Sequence, residues 1–215
     1  MNRLVFPLCL LVCGATVNAE TWKLLDDFEN GWQSGWNERI FTKLPTEYRV
    51  VRKQNGQALM GQSQKSASGL WHMLDIQPVE SGSISWNWEV EHSLSSNRDE
   101  RRKQGDDYAA RVFVVFEPHF FSWRTRSICY VWAGQEAVGS IYASPYASNV
   151  ATIVLESGDS RAGQWITEKR DFVADYKNFF GEPPKTVSAV AIMIDTDNTG
   201  GEATAYFNNI FLSVP

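Results

Sequence analysis

The sequence is poor in the features that mark several large classes of protein. It contains three cysteines in 215 residues, and two of them, Cys9 and Cys13, lie near the amino terminus. Its longest apolar run, residues 4–12, is too short to cross a membrane. Its 20 basic residues are outnumbered by 25 acidic residues and form no block large enough to bind nucleic acid. We therefore expect no transmembrane segment in the mature chain and no nucleic-acid partner.

Residues 1–19 resemble a secretory signal peptide. A short basic start precedes the apolar run, and Ala19 ends a stretch of small residues suited to cleavage. Cleavage there predicts a periplasmic or secreted protein made of a single domain, residues 20–215. The alternative is a lipoprotein modified at Cys13, although Val12 is a poor residue directly before a lipidated cysteine.

Cysteine and tryptophan content bear on how such a domain is stabilised. After cleavage Cys129 is the only cysteine, so no intrachain disulfide forms and the hydrophobic core must hold the fold. Nine tryptophans suggest either a strongly aromatic core or a surface for stacking. We expect the strand aromatics to pack in the core and the loop aromatics to be exposed. The strand set is Trp86, Trp88, Tyr130 and Trp132, and the loop set is Trp32, Trp36, Trp123, Tyr142 and Tyr146.

Alternation of apolar and polar residues predicts an all-β fold. It is clearest in residues 83–91, where apolar side chains at every second position predict a half-buried antiparallel strand. Residues 171–180 instead show helical spacing, with Asp171 as a cap and Gly181 as a stop. The other predicted strands are residues 22–29, 48–53, 58–61, 70–76, 105–116, 127–133, 151–156, 165–169, 187–197 and 203–214. This pattern predicts an antiparallel β-sandwich of jelly-roll type with one short helix.

Two turn signals predict hairpins. Asn55 and Gly56 separate the second and third predicted strands, and this dipeptide is a strong hairpin signal. Residues 199–201 contain two glycines and separate the last two predicted strands, so they also predict a hairpin. Residues 92–105 are rich in charged side chains. This pattern predicts either a lid or a solvated surface loop.

Two predicted strands each carry an apolar face and a face of small and charged residues. Residues 105–116 place Asp107 and Arg111 on one face, and residues 187–197 place Asp195 and Asp197 on one face. In an extended strand Asp107 and Arg111 lie about 13 Å apart, so each needs another partner or a ligand. This predicts a binding groove on an open sheet face, unless the helix or a loop covers that face. The candidate ligand-binding residues are Asp106, Asp107, Arg111, Tyr130, Trp132, Asp195, Asp197 and Asn198.

A calcium site is a second possibility in the same region. Asp195, Asp197 and Asn198 followed by Gly200 are similar to the first half of a calcium-binding loop. No acid follows at the closing position, which excludes a helix–loop–helix site. A sandwich-type calcium site with Asp195, Asp197 and Glu29 remains open, and so does a purely structural role in satisfying turn amides.

Catalytic signatures are scarce. His72, His92 and His119 are isolated, which argues against a zinc enzyme, and no nucleophile elbow, P-loop or dinucleotide fingerprint occurs. The paired carboxylates of residues 106–107 and 195–197 still leave an acid–base enzyme acting on polysaccharide open.

Several segments together resemble a bacterial family known only as domain of unknown function 3047. They are Gly-Asp-Asp-Tyr-Ala-Ala-Arg-Val-Phe-Val-Val-Phe at 105–116, Tyr-Val-Trp-Ala at 130–133, the acidic and aromatic residues of 170–181, and Ala-Ile-Met-Ile-Asp-Thr-Asp-Asn-Thr-Gly at 191–200. The family implies no established activity. At a looser level, residues 27–29 and 207–210 are similar to the first and last strands of galactose-binding-like jelly rolls, which include carbohydrate-binding modules.

Three hypotheses follow from these patterns. The first is an exported domain that binds a glycan or another polar component of the cell envelope without catalysis. The second is a carboxylate-dependent enzyme acting on polysaccharide. The third is a structural domain that docks a protein partner through the aromatic residues of loop 120–123.

Overall fold

The computed structural model describes residues 21–54, 56–94, 97–116 and 125–214. The predicted signal peptide, Asn55 and the predicted docking loop 120–123 lie outside these residues. The strands are β1 (Trp22–Asp26), β2 (Asn37–Ile40), β3 (Glu47–Lys53), β4 (Gly56–Gln64), β5 (Ala67–Ile76), β6 (Ser83–Val90), β7 (Ala110–Phe116), β8 (Ser127–Ala133), β9 (Ile141–Ala143), β10 (Val150–Ser157), β11 (Ile166–Asp171), β12 (Val187–Asp195) and β13 (Glu202–Ser213). The helix α1 spans Phe172–Phe180. No helix among the described residues is long and apolar enough to cross a membrane.

The strands form two sheets packed face to face. In the described part of the chain, the front sheet has seven strands in the order β2–β5–β12–β7–β8–β10–β9. The back sheet has the order β11–β6–β13–β4–β3, with β1 also paired to β13. All pairs are antiparallel except β8 with β10. The predicted β-sandwich with one short helix is confirmed.

Aromatic side chains fill the space between the sheets, as the alternation predicts. Trp86 of β6 packs on Tyr130 of β8 with ring centroids 5.3 Å apart, and Trp88 packs on Trp132 at 5.8 Å. All four side chains are fully buried. Burial of this much apolar surface stabilises the domain without a disulfide, and Cys129 is itself free and buried.

The helix begins and ends where its sequence predicts. The Asp171 carboxylate accepts a hydrogen bond from the amide of Ala174 at 2.8 Å. Gly181 adopts the left-handed conformation, with φ of 82°, that ends many helices. Phe172 and Tyr176 pack against Phe116 and extend the core along β7. The amphipathic spacing therefore orients α1 onto the sandwich.

The predicted hairpin between the last two long strands is wrong. β12 pairs with β5 and β7 in the front sheet, whereas β13 pairs with β1, β4 and β6 in the back sheet. The turn at residues 196–200 therefore carries the chain from one sheet to the other. Gly200, with φ of 74°, allows this turn. The β3–β4 hairpin, in contrast, forms as predicted.

The start of the strand at residues 105–116 also differs from the prediction. A short 3-10 helix spans Lys103–Gly105, and β7 begins only at Ala110. Ala109 and Ala110 both face the core, so the alternation starts at Ala110. Tyr108 packs on the other side of the sheet, with its hydroxyl 2.7 Å from that of Tyr142. This irregular approach brings residues 106 and 107 towards Arg111, although an extended strand would separate them.

The charged segment before β7 is anchored by a buried carboxylate. Glu100 is 4% exposed and accepts hydrogen bonds from the amides of Gly134, Gln135 and Glu136. Burial raises the pKa of Glu100, and the three amide donors act in the opposite direction. Glu100 therefore holds its part of the segment against the end of β8, and the lid stays a prediction.

Candidate functional site

A half-open groove of about 320 Å³ crosses the outer face of the front sheet, the face turned away from the core. It extends from the residues after β2, across β12 and β7, to the loop that joins β9 to β10. The turn that follows β12 contributes one rim. The sheet face predicted from the sequence is therefore open at the groove, and α1 does not line it. Beside the groove, Tyr108 and Tyr142 pack on β8 and cover part of the same face.

The floor of the groove is apolar. Phe113 of β7 and Met193 of β12 point outward because their strand neighbours, Val112, Val114 and Ile192, face the core. Phe113 and Met193 are half-buried, whereas Phe41 at one end of the groove is 55% exposed. The floor therefore presents aromatic and thioether surface to solvent at the base of a polar rim.

Beneath one side of the groove lies a buried ion pair. The Arg111 Nε donates to Asp195 Oδ1 at 2.7 Å, and one terminal guanidinium nitrogen binds Asp195 Oδ2. That nitrogen also donates to the backbone carbonyl of Asp106 at 2.7 Å, and the other lies 3.6 Å from Asp106 Oδ1. Arg111 and Asp195 are 5% and 3% exposed. The guanidinium thus joins β7, β12 and the segment before β7.

Burial shifts the pKa of each of the three charged groups in this cluster. It raises the pKa of Asp195 to about 7, although the Arg111 guanidinium acts in the opposite direction. Burial likewise raises the pKa of the Asp106 carboxyl. For Arg111, burial lowers the pKa, but Asp195 and Asp106 outweigh it and hold the pKa well above its usual value. The charges of this cluster therefore depend on one another.

Asp107 has a structural role in the turn after β12. Its carboxylate accepts hydrogen bonds from the backbone amide of Asn198 at 3.2 Å, from the Asn198 side-chain amide at 3.0 Å, and from the amide of Thr199. These are the turn amides that the sequence suggested for Asp195 and Asp197. The donor residues lie on the turn and the acceptor lies before β7, so this contact fixes the rim of the groove.

The exposed polar groups of the groove belong to this rim. Asp197 is exposed and Asn198 is half-buried. Tyr146, which is 54% exposed, projects from the loop between β9 and β10, and its hydroxyl donates to the Asn198 side-chain oxygen. The rim therefore offers a carboxylate, an amide and a phenol to a ligand above the apolar floor.

A cation has little to bind at these acids. Carboxylate oxygens of Asp107, Asp195 and Asp197 lie within 4.8 Å of one another. However, Arg111 occupies both oxygens of Asp195, and Asp107 accepts three N–H groups. Glu29, the third candidate calcium ligand, instead accepts a hydrogen bond from the amide of Gln57 beside the β3–β4 turn. Protein donors therefore already occupy oxygens of Asp195 and Asp107 that calcium would need, and a calcium site at these acids stays a prediction.

A family model for a protein of unknown function, DUF3047, matches residues 34–211. The chain belongs to the DUF3047 family. No curated protein matches its sequence significantly. In this DUF3047 domain the match extends from just before β2 into β13, and thus includes every element that forms the groove.

Solved structures show which fold the DUF3047 domain adopts. It is similar to the family 11 carbohydrate-binding module of a cellulosomal cellulase of Clostridium thermocellum, with 12% identity over 92% of this chain and 97% of that chain and a TM-score of 0.50. The xyloglucanase domain of NopAA from Sinorhizobium fredii matches with 14% identity over 85% of this chain and 95% of that chain, and with a TM-score of 0.47. A variant of a family 29 carbohydrate-binding module matches with 10% identity over 91% of this chain and 93% of that chain, and with a TM-score of 0.44. At these identities the first similarity shows the jelly-roll fold alone.

Six of the eight candidate ligand residues of the DUF3047 domain converge around the groove, and two do not. Tyr130 and Trp132 are fully buried between the sheets, where no ligand on the outer face reaches them. The Tyr130 hydroxyl donates to Asp175 at 2.8 Å, and the Trp132 indole donates to the carbonyl of Gly158 at 3.0 Å. We therefore leave these two residues out of the site. Of the six that converge, Asp106, Arg111, Asp195, Asp197 and Asn198 line the groove, and Asp107 supports its rim.

Sequence reasoning missed the apolar part of the site. The alternation placed Phe113 and Met193 on the same strand faces as Arg111 and Asp195, but neither was named as a candidate ligand-binding residue. Of the predicted exposed aromatics, only Tyr146 lines the groove among the residues described. Trp36 is instead buried and donates to Asp26, and Tyr142 is half-buried beside Tyr108.

Proposed function

We propose that this protein is a glycan-binding domain whose site is the groove on the outer face of the front sheet. The observation that carries the proposal is the combination of an apolar floor, formed by Phe113 and Met193, with a polar rim formed by Asp197, Asn198 and Tyr146. A sugar ring has the matching chemistry, since its C–H face packs on aromatic surface while its hydroxyls exchange hydrogen bonds with carboxylate and amide groups.

Binding without catalysis is favoured by the state of the carboxylates. A glycosidase of the usual type needs two carboxyl groups that reach the scissile bond from opposite sides. Among the acids that line the groove in the described part of the chain, Asp106 and Asp195 are buried against Arg111, and only Asp197 is exposed. The buried pair supports the groove wall, and a single exposed carboxylate suits recognition of hydroxyls.

The proposal includes export of the protein, because the glycans of the cell envelope lie outside the cytoplasm. Its support is the signal-like composition of residues 1–19. Amino-terminal sequencing of the protein recovered from a bacterial periplasmic fraction tests it. We expect the chain to begin at Glu20, whereas an intact amino terminus in the cytoplasmic fraction would contradict export.

A glycan array on the purified protein, followed by titration calorimetry with the best ligand, tests the binding function. We expect Phe113→Ala to lower the affinity about tenfold, because a stacked aromatic ring contributes about 0.5–1.5 kcal/mol beyond its buried area. Val115→Ala is the matched control, since Val115 is also half-buried on the outer face of β7 but does not line the groove.

Two binding results would overturn the proposal, and a third result would change the proposed function to catalysis. The first is an array on which no glycan binds a folded protein. The second is equal loss of affinity in the Phe113 and Val115 variants. Release of new reducing ends from the bound polysaccharide, abolished by Asp197→Asn, would replace binding by catalysis as the function.

A further inference from the structure

A second aromatic surface lies beside the groove on the same sheet face. Trp71 of β5 points outward, because its neighbour Leu70 faces the core. In the sheet register Trp71 pairs with Ala191 of β12, and Ala191 pairs on its other side with Phe113 of β7. The alpha carbons of Trp71 and Phe113 are therefore separated by two strand spacings, about 10 Å, with a small side chain between them.

The indole of Trp71 is held against the sheet by a glycine. A Cβ placed on Gly69 would lie 2.5 Å from Cζ3 of Trp71, so the ring occupies the space that any other residue at position 69 would fill. Gly69 pairs in register with Met193, which forms the floor of the groove. The ring therefore lies over the strand next to the floor and extends its apolar surface towards β2.

Two further side chains complete this surface. Phe41, which lines the groove, meets the Trp71 ring edge-on with centroids 5.6 Å apart. The exposed guanidinium of Arg39 lies 4.9 Å from the centroid of the Trp71 ring. We name Trp71, Phe41 and Arg39 the β2-side shelf. It has the same combination as the groove, aromatic surface next to a hydrogen-bond donor, and Phe41 belongs to both.

We propose that the β2-side shelf is a second subsite for the same glycan, so that the ligand is a linear chain of several sugar units lying across the strands. This inference rests on the proposed function. The same glycan is the expected occupant because the two surfaces are continuous. Phe41 lines the groove and contacts the Trp71 ring, and Gly69, which has no side chain, lies between Met193 and that ring. A separation of two strand spacings between the aromatic positions lets successive units of an extended glycan contact both rings.

The experiment compares a disaccharide with a hexasaccharide of the same linkage, starting with cellobiose and cellohexaose and continuing with the glycans that bind on the array. We expect Trp71→Ala to lower the hexasaccharide affinity about tenfold and to leave the disaccharide affinity unchanged. Trp71→Phe retains an aromatic ring and should recover most of that loss. Phe113→Ala should weaken both ligands.

Two variants control for indirect effects. Gly69→Ala places a Cβ 2.5 Å from the indole and 2.8 Å from the backbone carbonyl of Ile192, so it displaces the ring and also strains β12. We expect it to weaken the hexasaccharide at least as much as Trp71→Ala does. Met73→Ala changes an exposed side chain on the same strand and the same face, outside the groove, and should leave both affinities unchanged. Thermal melting of each variant confirms that it is folded.

The outcomes separate the two proposals. If no glycan of either length binds, the proposed function fails and the subsite fails with it. If both lengths bind with an affinity that depends on Phe113 and not on Trp71, the groove stands and the second subsite is refuted. That same result would be expected if the shelf served a protein partner. Equal weakening of both lengths by Trp71→Ala would also refute an extended ligand, because it would place Trp71 in the first subsite.

Discussion

Arg111 binds both carboxylate oxygens of Asp195 across 84 positions of the sequence, and the pair lies buried under one side of the groove. The two residues belong to adjacent strands of the front sheet, β7 and β12. Because Arg111 also binds Asp106, the pair joins the segment before β7 to the end of β12. Two of the rim residues, Asp197 and Asn198, follow directly after Asp195, so we expect the ion pair to support this part of the rim.

Removal of the guanidinium alone should be strongly destabilising. We expect Arg111→Met to lower the free energy of unfolding by about 3–5 kcal/mol, because it leaves Asp195 and Asp106 buried without a compensating charge. The double variant Arg111→Met with Asp195→Leu should recover part of that loss, since it removes the more closely bound carboxylate but leaves Asp106 buried without a cation. Urea unfolding at neutral pH measures both. Equal midpoints for Arg111→Met and the unsubstituted protein would show that the pair does not stabilise the fold.

Asp107 should stabilise the rim through its three acceptor contacts. Asp107→Asn replaces one carboxylate oxygen by an amide, so at least one N–H of Asn198 or Thr199 loses its partner. We expect a loss of about 1–3 kcal/mol in unfolding free energy, together with weaker glycan binding. Asp75→Asn, an exposed substitution on β5, is the control and should change neither quantity. A variant at Asp107 with unchanged melting temperature would contradict the capping role.

The free energy of unfolding should fall as the pH rises from about 4 to about 7. Burial raises the pKa of Asp195 from its usual value of 3.8 to about 7. The folded state then retains a proton that the unfolded state releases, so the stabilising contribution is complete below about pH 4 and declines up to about pH 7. We expect a melting temperature higher at pH 5 than at pH 8 by at least about 2–4 °C, the shift that corresponds to 1 kcal/mol in a domain of this size.

Asp195→Asn supplies the control for this pH effect. The amide does not titrate, so the variant should show a smaller difference in melting temperature between pH 5 and pH 8. A melting temperature of the unsubstituted protein that rises from pH 5 to pH 8, by more than that of Asp195→Asn, would reverse the predicted sign and indicate that Arg111 outweighs burial at Asp195.

Calcium should have no effect on stability. Arg111 and backbone amides already satisfy Asp195 and Asp107, so a cation would have to displace them. We expect the same melting temperature in millimolar calcium and in a chelator. An increase of several degrees with calcium, lost in Asp197→Asn, would show that the acids bind a metal ion after all.

The sequence predicted most strands correctly because their alternation is a local property. Strands β2 and β9 were missed, since each is a short edge strand whose existence depends on a neighbour supplied by the fold. The turn at Gly200 was recognised, but turn chemistry does not reveal whether the following strand pairs with the preceding one or enters the other sheet. Local pattern therefore identified elements better than their connections.

The candidate site was predicted in part for a related reason. The outward faces of β7 and β12 were read correctly, and this placed Arg111 and Asp195 on one surface. Their pairing was not predicted, because it depends on the register between β7 and β12, two strands that lie far apart in the sequence. Trp71 was missed although it alternates with Leu70, since its importance depends on Gly69 and on the adjacent strand.

Nuclear magnetic resonance mapping of a glycan titration tests the central claim most directly. We predict saturable shifts of the backbone amides of Phe113, Met193 and Asn198, with no change at Val51 and Tyr206 on the outer face of the back sheet. Saturable shifts confined to the back sheet, or none with a glycan that calorimetry shows to bind, would contradict the assignment of the groove as the binding site.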